Sequence, residues 1–157
     1  MTPTRPPLTP DQLIPLDIVR VRFARVWLIG AGVIFTLLVA QSLWHAYGDL
    51  TTEVWGWFLP TLAPTLALII TVLTYTALDP LMTGAVVRKG FVPIALWLSV
   101  VYLFTVLLTI LVQPFTAKTP ADAVALMRTS NLWLGPFQGL VASALGVLFV
   151  SKERANQ

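Results

Sequence analysis

The chain has 157 residues, of which 57% are hydrophobic and 11% charged, with a formal net charge of +3 and no cysteine. Soluble domains carry roughly 25% charged residues, so this composition excludes an ordinary water-soluble globule. The missing cysteine excludes disulfides, thiolate nucleophiles and Cys-ligated metals.

Residues 1–25 read as a proline-rich segment with a basic lead-in. Positions 1–10 hold four prolines, which favour extended polyproline conformation. Residues 11–25 bring Arg20, Arg22 and Arg25 up to the first apolar run. Such interfacial arginines either set topology or reach anionic headgroups at about 1 kcal/mol each. That apolar run is longer than the 7–15 residues of a signal-peptide core, so the first helix is expected to stay as an anchor.

Four stretches, 26–48, 54–78, 90–117 and 129–151, contain no Asp, Glu, Lys or Arg. About 20 apolar residues cross a bilayer's hydrocarbon core, so each is long enough to span. The expected fold is all-α, a four-transmembrane-helix bundle over 26–151 with antiparallel neighbours. Its spans are expected at about 26–47, 54–78, 91–112 and 130–150, with a short tail over 152–157.

Trp27, and Trp44 with Tyr47, are placed at the two interfaces of span one, where amphipathic rings prefer to sit. Span two carries Pro60 and Pro64, which remove backbone donors and predict a kink. Thr119-Pro120 reads as an N-cap followed by proline at the first helical position, opening a short helix to about Met127 ahead of span four. Basic residues flank the spans unevenly. Arg5, Arg20, Arg22, Arg25, Arg88, Lys89, Lys152 and Arg154 fall on one predicted side, and only Lys118 and Arg128 on the other. The positive-inside rule then predicts both termini in the cytoplasm, of a bacterial inner membrane. This placement explains the high pI without nucleic-acid binding, for which no basic face or base-reading module is present.

Candidate sites follow from residue type. Gly135 and Gly139 form a small-xxx-small motif continued by Ser143 and Gly146, which lets helix backbones approach closely in lipid. The motif serves either packing within the bundle, with Gly30 on span one as a partner, or contact between copies. Gln138 lies in the same stripe, and its amide needs an interhelical bond or water. Hydroxyl residues group on one face of span two (Thr61, Thr65, Tyr75) and of span three (Ser99, Tyr102, Thr109). They either line a hydrated pathway or bond across a dry interface.

No Asp, Glu, Lys or Arg lies within the spans, and no ionisable side chain that could relay protons sits at depth, which argues against proton-coupled transport. His45 is the only histidine, with no evident nucleophile-base geometry at Ser42. No catalytic residue, cofactor or metal is expected. The expected function is a non-enzymatic, self-associating membrane effector or channel-like unit, of the membrane-permeabilising kind found in bacterial defence. Its expected partners are membrane lipids, further copies of itself and a cytosolic regulator. The alternative is an accessory subunit of a larger membrane complex. A carrier or enzyme for a lipid-soluble substrate fits least well.

Overall fold

A computed structural model describes residues 13–78 and 86–150, with the side chains of all but 75–78, 86 and 150. The proline-rich start, residues 79–85, the tail from 151 and the Tyr75 side chain lie outside the described residues. In chain order the elements are strand β1 (Leu13–Pro15), helix α1 (Leu16–Leu43), a 3₁₀ turn (Gly48–Leu50), helix α2 (Thr51–Leu78), strand β2 (Val86–Arg88), helix α3 (Phe91–Thr116) and helix α4 (Pro120–Val150). All four α-helices are long and apolar enough to cross a membrane. This is the architecture of an integral membrane protein.

Three details depart from the sequence expectation. Helix α1 does not wait for the first apolar run: it starts at Leu16 and carries Arg20, Arg22 and Arg25 on its first turns. The short helix expected over 120–127 is continuous with span four, giving a helix of 31 residues. Nothing between Met127 and Ser130 breaks the backbone hydrogen-bond ladder, so the helix simply extends past the bilayer thickness. The third departure is a pair of three-residue strands. β1 pairs antiparallel with β2, matching Leu13 with Arg88 and Pro15 with Val86.

Each helix buries one stripe at spacings of three and four. On α1 it includes Val19, Phe23, Trp27, Ile34 and Leu38, and on α3 Ala95, Ser99, Tyr102, Val106 and Thr109. Lipid is as apolar as leucine, so burial does not select the most hydrophobic face. It selects polar side chains and close-fitting shapes. Accordingly Thr61, Thr65, Ser99, Gln113 and Ser130 face inward, while Phe104, Leu132 and Leu140 face out. Helices α1 and α4 each pack against both α2 and α3, which leaves α2 and α3 diagonal to one another.

Helix α1 ends in a tight turn in which His45 and Gly48 both adopt left-handed φ, at 55° and 54°. A side chain in this region costs roughly 1–2 kcal/mol, whereas glycine adopts it freely. His45 is exposed, so its side chain brings no packing in return. His45→Gly is expected to stabilise the fold by about 1 kcal/mol, read as a higher thermal midpoint in detergent. A lower midpoint would mean that the imidazole holds the turn.

Candidate functional site

The bundle is organised around Tyr102 of α3, which is fully buried and touches every other helix. Its ring lies 5.9 Å from Trp27 on α1 and 5.7 Å, edge-on, from Phe137 on α4. Its hydroxyl donates to the Thr61 carbonyl of α2 at 2.8 Å. That carbonyl belongs to the proline-bearing turn. Pro64 has no N–H, so the Pro60 carbonyl four residues earlier loses its helical donor. Gln138 of α4 supplies one instead, with its amide nitrogen 3.3 Å from the Pro60 oxygen. Two neighbouring carbonyls of α2 are thus held by side chains from two other helices.

Several hydroxyls placed on the polar faces bond to their own helix. Thr61 donates to the Trp57 carbonyl at 2.6 Å and Thr109 to Thr105 at 2.9 Å. Thr65 and Ser99 are buried in the packed interior. Trp27 stands in that same interior, fully buried beside the Tyr102 ring. Neither its indole nitrogen nor the Ser99 hydroxyl has a hydrogen-bond partner among the described residues. Such groups cost about 1–3 kcal/mol each when buried. Close packing around Tyr102 is what holds them there.

At the end carrying the His45 turn, Tyr47 is buried between Gln41 and Gln113. A phenol has one proton, and it goes to the Gln41 side-chain oxygen. Tyr47 Oη also lies 3.0 Å from the Gln113 amide. Turning that amide lets its N–H donate to Tyr47 and gives Gln113 Nε2 the partner it otherwise lacks among the described residues. Burial pushes the Tyr47 phenol up to about 12, so it stays protonated. Nearby, Trp57 donates to Ser130 Oγ at 3.2 Å. The expected cap of α4 is present as a reciprocal box: the Asp122 N–H donates to Thr119 Oγ1, and the Asp122 carboxylate accepts from the Thr119 and Lys118 N–H groups. Arg128 pairs with Glu53 at 2.6 Å in an exposed position, worth about 0–1 kcal/mol. Ser42 donates to Leu38 in its own helix and not to His45.

At the opposite end Arg20 turns inward. It is 4% exposed and donates to the Phe149 carbonyl near the end of α4 at 3.1 Å. Arg22, Arg25, Arg88 and Lys89 remain exposed.

The small residues separate into two groups. Gly30 packs inside: a Cβ added there would lie 2.8 Å from Leu103 Cδ1 of α3, so its partner is α3. Gly135 and Gly139 are exposed, as is Ser143, and a Cβ added at Gly135, Gly139 or Gly146 would meet nothing within 4 Å. Gly135, Gly139 and Ser143 therefore face away from their own bundle, while Gln138 beside them reaches α2. Of these features, the sequence had singled out Pro60, Pro64, Gln138, Thr61 and Tyr102 without pairing them. The inward turn of Arg20 had no local signal. Compared with known proteins, the chain matches no family model, no curated sequence and no solved structure.

Proposed function

We propose that this protein is a non-enzymatic, self-associating membrane protein. It acts as an effector or channel-like unit of a bacterial inner membrane under the control of a cytosolic partner. The observation that carries this reading is the outward stripe of Gly135, Gly139 and Ser143. In lipid, small residues allow the close backbone approach that drives helix association, and among the described residues nothing packs over Gly135 or Gly139. The interior around Tyr102 is closely packed, so a conducting pathway in this reading lies between copies. Helix α2 is read as kinked at Pro60 and Pro64, with sequential helices antiparallel. A cytoplasmic location for both termini draws support from two contacts. The β1–β2 pair and the Arg20–Phe149 bond gather the start of α1, the segment before α3 and the end of α4 at one end.

The test is the mass of the purified protein in lipid nanodiscs, by native mass spectrometry. A defined homo-oligomer is expected, together with conductance in planar bilayers at the same protein density. A monomer that co-purifies with unrelated membrane proteins would overturn the reading in favour of an accessory subunit.

A further inference from the structure

The end of the bundle at β1 and β2 gathers exposed positive charge. Arg20 is turned inward, beside the carboxylate of Asp17 and bonded to Phe149. Arg22, Arg25, Arg88 and Lys89 are exposed and form no ion pair among the described residues. The β1–β2 pair sets Arg88 opposite Leu13, just before α1 begins. Charges distant in sequence are thereby brought to one end.

Position along the membrane normal sharpens this. Helix α1 has 28 residues, or about 42 Å at 1.5 Å per residue, against a hydrocarbon core of about 30 Å. Counting back from Leu43, the first two turns or so of α1 extend beyond the core. Arg22 and Arg25 fall at its boundary. They are three residues apart, which puts them side by side on the helix. Ile18 and Ile29 share their face and are exposed, so this face looks toward lipid.

Directly beyond Arg25 on that face begins an apolar groove between α1 and α2, of about 300 Å³. Leu28, Gly32 and Phe35 form one wall, and Phe58, Leu62 and Leu66 the other. Phe35 packs against Trp55 and Phe58 at ring distances of 5.6 and 6.3 Å, which closes one end. Gly32 keeps the groove open, since a Cβ there would meet no other atom within 4 Å.

We propose that this surface binds one anionic phospholipid. The headgroup phosphodiester accepts from the guanidinium groups of Arg22 and Arg25, and an acyl chain lies in the groove over Gly32. Arg88 and Lys89 add long-range attraction at the same end. Guanidinium suits the task because its fork of donors matches phosphate oxygens and stays charged at the membrane surface. The proposal is independent of assembly through α4, which lies on a different helix.

The experiment is native mass spectrometry of the delipidated full chain in detergent, with phosphatidylglycerol and phosphatidylcholine added at equal concentration. The wild-type protein is expected to retain phosphatidylglycerol preferentially, by roughly fivefold per participating arginine. Arg22→Gln with Arg25→Gln removes the preference while leaving weak adducts of both lipids. Gly32→Leu fills the groove and removes the adducts, with the thermal midpoint unchanged. Lys118→Gln, near the opposite end, leaves retention intact. Inorganic phosphate at millimolar concentration displaces nothing. Equal retention of the two lipids by wild type, or full preference in the double arginine variant, would overturn the proposal. Displacement by inorganic phosphate would also overturn it, by showing a site for the free anion.

Discussion

Gly139→Leu is expected to take the assembly apart and leave the protomer intact. The protomer is safe because the side chain enters open space: an added Cβ meets nothing within 4 Å. The assembly is not, because the close approach that small residues permit becomes an overpacked contact. Overpacking costs about 1–3 kcal/mol per site, and a two-fold contact contains each residue twice. Association should weaken by roughly thirtyfold or more. The same substitution at Gly30 gives the opposite pattern. There the new side chain collides with Leu103 inside the bundle, lowering stability by about 1–3 kcal/mol. The measurements are oligomer mass by native mass spectrometry and thermal midpoint in detergent. An unchanged oligomer in Gly139→Leu removes α4 from the interface. An unchanged midpoint in Gly30→Leu removes the close α1–α3 approach.

Why one glycine lies inside and the other outside was not legible in the sequence. The spans themselves were, because a bilayer demands long uncharged runs and such runs have no other common use. Within those runs nearly every position is apolar, so no strong amphipathic stripe marks the inner face. Gly30 and Gly139 look equivalent until their neighbours are placed. The inward packing of Trp27 was hidden for a related reason: only the position of Tyr102 shows which side of α1 faces the bundle. The strands were invisible because three-residue pairings of Leu13–Pro15 with Val86–Arg88 carry no periodicity, and their partners lie over 70 positions apart. Helix starts were blurred at Arg20 to Arg25, where a charge cluster signals the membrane boundary. It does not signal a helix boundary, since arginine is a good helix former. What the sequence did show at the centre was unmet demand. Pro64 leaves a carbonyl without its donor, and Gln138 sits in an apolar helix needing a partner. The fold joins the two at 3.3 Å.

Tyr102→Ala is expected to be the most destabilising single change in the bundle, by about 3–5 kcal/mol, the range for removing a large buried aromatic side chain. It would empty the place where Trp27, Phe137 and the Thr61 carbonyl converge. Tyr102→Phe separates the ring from the hydroxyl. It keeps both aromatic contacts and loses only the bond to Thr61, so about 0.6 kcal/mol is expected, the average for such bonds in membranes. Combining Tyr102→Phe with Gln138→Leu tests whether the two tethers on α2 act together. They hold adjacent carbonyls of one proline-bearing turn, so the double variant should lose more than the two single losses combined. Trp27 fluorescence, adjacent to the ring, follows the unfolding in each variant. A loss below about 1 kcal/mol in Tyr102→Ala would mean that the interior is loosely packed there and that Tyr102 is no junction. Conductance then locates the pathway. If it runs between copies, Tyr102→Ala lowers stability without adding current at temperatures where the fold persists. If current rises in proportion to protomer number, with no dependence on assembly, the pathway runs through a single bundle, past the position that Tyr102 fills.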